Sequence, residues 1–444
     1  MKSIPLPPTA HQPSPYVGPS LEQVLAQRKQ FLNPGLFLYY KQPIMIVEGK
    51  MQYVWDSTGK RYLDGLGGIV TVSVGHCHPH VLKAINAQNA TLQHSTTIYL
   101  NPNIGAFAEK LASKLPGDLK VCYFVNSGSE ANDLALLMAR LYTGNYDAIA
   151  LRNGYHGGSP SSMGLTAHSN WKFNVPHSFG VHHAVAPYPY RGHFGYDDPD
   201  AGRKYADDVK DLIAYATPGK LAAFIAESIQ GVGGFVEFPQ GYLKHAYEHV
   251  RAAGGVCIAD EVQTGFGRTG RLFAMDHYAD QGITPDLMTI AKSLAAGLTL
   301  SAVTGRADIM DAPAPGGLGG TYAGNPLAVA AAQAVIDIMH DEQLPARGQQ
   351  LGDQLQHRLS ILQHRVPQLA EVRGLGAMVA AEFRKTDGSP DAPFTKDVQA
   401  RALAKGLILL TCGMDGNVLR FLFPLTIEQP VFDEALEIME EALL

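Results

Sequence analysis

The chain has 444 residues, more than one hydrophobic core usually organises, so a large domain with a smaller one packed against it is expected, with a cleft between. Apolar residues make up 46% and charged residues 17%, a globular profile that excludes a disordered chain. A net charge of −6 with scattered Lys and Arg excludes the basic stripe that nucleic acid requires, and no apolar run approaches the roughly 18–20 residues that cross a bilayer.

The first twenty residues hold six prolines and no arginine, which matches neither a signal peptide nor an Arg-rich presequence. An extended arm and a cytoplasmic protein are expected, or a mitochondrial one if a presequence is missing. From Pro43 to Asp64 three short strands alternate with polar turns, at Ile44 to Val47, Tyr53 to Trp55 and Arg61 to Leu63.

Between about Asn103 and Gly305 apolar β-rich runs alternate with helical patterns. The runs are Val121 to Val125, Ala148 to Leu151, Ala222 to Ala226, Val256 to Ala259, Met288 to Ile290 and Ala302 to Thr304. This alternation predicts an α/β fold with a mostly parallel central sheet. After Asn325 an Ala-rich helix runs to about His340, followed by helices and short strands that end in a helix from Val431 to Leu444. The expected division is an arm and meander over 1–75 belonging to the smaller lobe, a large domain over 76–330, and a small α+β domain over 331–444. Cys77, Cys122, Cys257 and Cys412 lie far apart, mostly in apolar surroundings, as reduced core thiols do.

Three segments carry chemistry. In Val125-Asn-Ser-Gly-Ser-Glu-Ala-Asn132 a strand passes through small residues into a helix, with capping-box spacing between Ser127 and Glu130. Free N–H groups at such a helix start bind phosphate, although an ordinary capped helix reads the same way. The strand Gly255 to Asp260 ends abruptly in a carboxylate, where α/β sheets place binding groups; a merely exposed strand-end Asp is the alternative. Lys292 is the one charge in Leu287 to Gly297: either a buried, nucleophilic amine or a lysine reaching out to solvent. Phosphate turn, a carboxylate on a later strand and a lysine 32 positions on, each at a strand end, together meet the needs of one cofactor, pyridoxal phosphate, with its phosphate, ring nitrogen and aldehyde.

On these motifs, from about Leu38 to the C-terminus, the chain resembles the class III aminotransferases of fold type I. The resemblance implies that Lys292 forms the Schiff base and is catalytic with Asp260, which holds the ring nitrogen. It implies that Gly128 and Ser129 hold the phosphate, that Tyr155 stacks on the ring, and that Gln263 meets its phenolic oxygen. Thr321, in Gly-Gly-Thr-Tyr-Ala-Gly-Asn-Pro, matches a threonine that reaches the neighbouring subunit's phosphate. That implies a homodimer with shared active sites, or tetramers built from such dimers. Arg420 matches the arginine that receives the α-carboxylate, as a bidentate fork suits. The family's Glu-Pro-x-Gln-Gly reads Glu227-Ser-Ile-Gln-Gly231 here, with Glu227 retained beside the cofactor, and the usual glycine after the lysine is Ser293.

The N-terminal two-thirds resembles mitochondrial-type alanine–glyoxylate aminotransferases, and the C-terminal third resembles 4-aminobutyrate aminotransferases. Ile69, Gly158, Val232 and Arg420 are the candidate substrate contacts. In the 4-aminobutyrate enzymes an arginine stands at the Gly158 position and a glutamate at the Val232 position. Lacking that arginine, a dicarboxylate loses a charge-assisted pair, on the order of 2–4 kcal/mol. Lacking that glutamate, Arg420 stays open to an α-carboxylate. Alanine or a β- or ω-amino acid is therefore the expected donor and glyoxylate or pyruvate the acceptor, in a ping-pong reaction. The alternatives are 4-aminobutyrate with 2-oxoglutarate, decarboxylation or intramolecular amino transfer on the same scaffold, and a binding protein that has lost catalysis. Gly75-His-Cys-His-Pro-His80 invites a metal, but the family carries a similar turn without one, so no metal is expected.

Overall fold

The computed structural model describes residues 10–444. Part of the expected N-terminal arm, residues 1–9, lies outside the described residues. Residues 10–20 form no helix or strand before the helix Leu21–Phe31, which Ser20 caps.

Seven strands make the central sheet, in the spatial order Val121–Val125, Ser301–Gly305, Leu287–Ile290, Val256–Asp260, Ala223–Glu227, Ala148–Leu151 and Val181–Ala184. From Leu287–Ile290 to the Val181–Ala184 edge all neighbours are parallel. Ser301–Gly305 runs antiparallel to both its neighbours. The fold is thus the α/β type with a mostly parallel sheet that the alternation of runs predicts.

Side-chain alternation explains why these strands read as unbroken apolar runs. Phe224 and Ala226 pack with Tyr205, Tyr242 and Val250 of the helices Ala201–Ala216 and Tyr242–Ala252 on one face. Ala223 and Ile225 pack with Ala135 and Leu136 of the helix Gly128–Thr143 on the other. With helices on both faces, both side-chain directions of these central strands are mostly apolar, and the charged residues Glu227 and Asp260 stand at their ends.

Two four-stranded sheets complete the fold. The meander Ile46–Lys50, Tyr53–Asp56 and Arg61–Asp64 is joined by Leu407–Ile408, which lies parallel to Arg61–Asp64 with Leu407 opposite Leu63. Its first strand starts two residues later than Ile44, with Ile44 instead packed in a small cluster with Val54 and Tyr62. The other sheet runs Leu369–Leu375, Met378–Phe383, Val418–Phe421 and Leu410–Cys412, all antiparallel. The Ala-rich helix is Pro326–Asp341, started by the Asn325 side chain accepting from the N–H groups of Leu327 and Ala328, and the terminal helix is Gln429–Leu443. Among the described residues no helix is long and apolar enough to cross a membrane.

Val125, Glu227, Asp260 and Ile290 all end strands of the central sheet, and Glu227 lies opposite Asp260, which lies opposite Thr289. That edge is where the site forms.

Candidate active site

A cavity of about 310 Å³ opens at this edge, lined by Gly128, Ser129, Tyr155, Glu227, Asp260, Gln263 and Lys292 among others. Seven candidates drawn from separate stretches of sequence therefore converge on one space.

The helix Gly128–Thr143 points its start at the cavity. Ser127 caps it by accepting from Glu130 N–H at 3.2 Å. The return half of the capping box is displaced: Glu130 accepts from the N–H of Asn126 at 2.8 Å, one residue before the cap. A Cβ on Gly128 would lie 3.1 Å from Val262, and one on Gly157 only 2.4 Å from Ser129 Oγ. The Ser129 hydroxyl also accepts from Gly158 N–H at 3.1 Å. Side chains are thus kept out of a cradle of free N–H groups at the positive end of a helix.

Asp260 is buried and held by three contacts, which leave Oδ1 with room for one more donor. Its Oδ2 accepts from Asn132 Nδ2 at 2.8 Å and faces His156 Nδ1 at 2.8 Å, and its Oδ1 accepts from Val262 N–H at 3.0 Å. Asn132 is itself held, donating to the His156 carbonyl at 2.8 Å and accepting from Thr289 at 2.7 Å. Reading the sequence assigned no role to Asn132 or His156. Asn132 ends the segment Val125–Asn132 singled out there and His156 follows Tyr155, and the signal for both was a buried strand-end carboxylate that needs donors.

Lys292 opens the short turn Lys292–Ala295 just beyond the strand Leu287–Ile290. Its φ is +44°, a left-handed backbone that costs a non-glycine residue of order 1–3 kcal/mol. Burial lowers its amine to about 8; the charges of Asp260 and Glu227 work against that shift, and Arg420 adds to it.

Glu227 accepts from the N–H groups of Tyr155 at 3.0 Å and Gly231 at 2.9 Å. Burial pushes its carboxyl up to about 7. The Gln263 amide is buried with its Oε1 unpartnered, in space that exists because residue 231 is glycine: a Cβ there would stand 2.3 Å from that oxygen. Tyr155 lies edge-on to Trp171 with ring centres 5.3 Å apart.

The substrate candidates are placed differently. Arg420 is buried in the strand Val418–Phe421 with Nε and Nη1 unpartnered, and its charge acts on Lys292. Gly158 is exposed, and a Cβ there would meet nothing within 4 Å. Val232 is half-buried, its carbonyl accepting from Gly413 N–H at 2.9 Å. Ile69 is 45% exposed with φ +59°, and Thr321 is exposed. Arg420, Gly158, Val232, Ile69 and Thr321 are not among the residues that line the cavity of their own chain.

Two histidines of Gly75 to His80 face separate carboxylates, His76 toward Asp64 at 2.8 Å and His78 toward Glu342 at 3.1 Å. Cys77 beside them is exposed rather than in the core; Cys257 and Cys412 are buried, and no cysteine is paired.

A helix start crowded against added side chains at Gly128 and Gly157, a buried Gln263 amide whose NH2 can donate to a phenolic oxygen, a held carboxylate with an acceptor site to spare and a buried amine fit the four functional groups of pyridoxal phosphate. Fold and site together define a pyridoxal-phosphate enzyme of fold type I. The model of the family Aminotransferase class-III matches residues 39–443, and the chain belongs to that family. It is 44% identical to alanine–glyoxylate aminotransferase 2 homolog 2, mitochondrial, from Arabidopsis thaliana, with 99% of this chain and 91% of that protein covered. It is 39% identical to the 4-aminobutyrate aminotransferase GabT of Escherichia coli, over 95% of this chain and 98% of that one. Among solved structures it resembles a thermostable (S)-enantioselective omega-transaminase from Thermomicrobium roseum, with TM-score 0.88, 31% identity, and 96% and 99% of the two chains covered. The chain is a pyridoxal-phosphate-dependent aminotransferase.

Proposed function

We propose that this aminotransferase takes the amino group of alanine or of a β- or ω-amino acid and delivers it to glyoxylate or pyruvate by a ping-pong route. When bound, pyridoxal phosphate supplies an aldehyde that takes up the amino group and a ring that accepts the electrons of the Cα–H bond. The start of the helix Gly128–Thr143, with Gly128 and Ser129, holds the phosphate. Asp260, fixed by Asn132 and His156, presents its charge to the ring nitrogen and keeps a proton there. Gln263 meets the phenolic oxygen, Tyr155 covers the ring, and Glu227 braces Tyr155 and the Gln230-Gly231 turn through their N–H groups. Lys292, with its amine near 8, is neutral often enough at neutral pH to take the Cα proton and return it.

The observation that carries the choice of substrate is the open space at Gly158. The glycine brings no cation to a second carboxylate, and Arg420 keeps unpartnered Nε and Nη1 for the first. The Arabidopsis relative supports alanine and glyoxylate; the Escherichia coli relative keeps 4-aminobutyrate with 2-oxoglutarate as the second reading. Thr321, exposed and apart from its own cavity, suits a contact with a second copy's site, hence a homodimer. Four unpaired cysteines suit a reducing compartment such as the cytoplasm.

The test is a set of half-reactions on the cofactor-loaded protein, followed by absorbance. Alanine, β-alanine and 3-aminoisobutyrate should bleach the cofactor band, and glyoxylate or pyruvate should restore it. Rapid bleaching by 4-aminobutyrate and recovery on 2-oxoglutarate would replace this reading with the second.

A further inference from the structure

The turn before Thr71 has an unusual backbone. Gly67, Gly68, Ile69 and Val70 have φ of +57°, +60°, +59° and +65°, one turn of left-handed helix closed by Val70 N–H to Leu66 O at 3.1 Å and Thr71 N–H to Gly67 O at 2.8 Å. Two of these residues are β-branched, for which this region is strained, so the surroundings must impose it.

Three elements do so. Asp64 accepts from the N–H groups of Leu66, Gly67 and Gly68 at 3.0, 3.0 and 3.2 Å. Leu422, two residues past Arg420, donates to Gly65 O at 2.9 Å, and its carbonyl lies where a Cβ on Gly67 would be 2.6 Å away. Ser293, the residue after Lys292, donates its hydroxyl to Val70 O.

That last bond ends a directed chain. The single hydroxyl proton of Ser293 goes to Val70, so the contact of 2.7 Å between the two hydroxyls requires Ser73 to donate to Ser293. Ser73 in turn accepts from Arg268 Nη2 at 3.0 Å. Arg268 is fully buried, its guanidinium anchored by donation to Phe423 O at 2.8 Å. The chain starts at a fixed cation and ends at the carbonyl of the strained turn. Thr71, the next residue, lines the cavity that Lys292 also lines.

We propose that Ser293 is a positioning residue: it locks the left-handed turn Gly67–Val70 to the lysine-bearing segment and so sets the width left for the amino acid's side chain between Thr71 and Lys292. The inference rests on the reading of this cavity as the amino-acid site. It gives the departure from glycine after the lysine a purpose, because glycine has no hydroxyl to pass on.

The test compares Ser293→Ala and Ser293→Thr with the parent in two readouts. The first is hydrogen exchange at the N–H groups of Val70 and Thr71 in the substrate-free protein, which does not depend on turnover. The second is kcat and KM for alanine, 2-aminobutyrate and norvaline. In Ser293→Ala those amides should exchange about tenfold faster. The kcat/KM ratio of norvaline to alanine should rise about tenfold, through KM more than kcat, and Ser293→Thr should restore the parent values. Unchanged exchange, or faster exchange with an unchanged donor ratio, overturns the proposal. If Ser293→Ala does not fold, Ser73→Ala, which removes the donor to Ser293, should give the same shifts in smaller measure, and their absence overturns it equally. If the parent accepts none of these donors, the substrate reading fails, and the exchange comparison alone decides whether Ser293 locks the turn.

Discussion

Glu227 and Asp260 stand opposite one another on adjacent parallel strands, yet side-chain donors reach Asp260 and only backbone N–H groups reach Glu227. Burial, the largest influence on Glu227, pushes it up to about 7.

That shift makes apoprotein stability depend on pH. A carboxyl raised in the folded state holds its proton where the unfolded chain has lost it, so its contribution is full below about 4.5 and disappears as pH rises through about 7. The difference amounts to about 3 kcal/mol at most. Glu227→Gln has no proton to lose. Urea melts at pH 5 and pH 7.5 should therefore show the variant gaining on the parent at the higher pH; a constant gap would show that Glu227 does not titrate in this range.

Lys292 should react as an amine of about 8. In the apoprotein its labelling by an amine-selective reagent, read by mass spectrometry, should reach half its plateau rate near that pH, while exposed lysines do so near 10.4. Because the Glu227 charge raises Lys292, Glu227→Gln should move the midpoint down. A midpoint shared with surface lysines would contradict the burial argument.

Asp260→Asn keeps the shape of the side chain and removes its charge. A buried charge that supports a developing charge is worth about 3–4 kcal/mol, so kcat should fall on the order of 10²–10³-fold with the cofactor still bound. Asn132→Ala, which frees one carboxylate oxygen from a donor, should fall by a smaller factor. Steady-state rates with alanine and glyoxylate measure both.

Gly158→Arg tests substrate choice directly. The position is open around the Cβ that an arginine would add. If a missing grip is why dicarboxylates are disfavoured, kcat/KM for 2-oxoglutarate relative to pyruvate should rise on the order of 10–10²-fold. No change in that ratio would separate acceptor preference from this position.

Most of the sheet was legible in the sequence because its strands are covered on both faces and read as continuous apolar runs. The edge strand Val181–Ala184 was not, since Val-His-His-Ala has no such run and its half-buried histidines reach out to Leu165 O and to Asp147. Lys292, Asp260 and the Gly128 turn could be found because strand ends concentrate chemistry, and a lone charge in an apolar segment stands out. His156 and Asn132 could not be ranked, because their value lies in where Asp260 happens to be in space. The left-handed turn was equally hidden: Gly67-Gly-Ile-Val70 suggests flexibility, and only the bonds from Asp64 and Ser293 reveal a fixed shape.

The reversed strand Ser301–Gly305 has a consequence for the lysine's freedom. Had the chain after Ile290 crossed over through a helix to another parallel strand, the lysine segment could have shifted as that helix shifted. Instead residues 291–300 leave the sheet and return to the adjacent strand at the same edge, with Ala302 opposite Ile290. Ser301 then donates to Ser127 O at 2.8 Å, fastening the return to the residue that caps the phosphate helix. The segment is a short loop tethered at both feet, with no slack to absorb an insertion. Any length change there would move the amine and the phosphate cradle relative to each other.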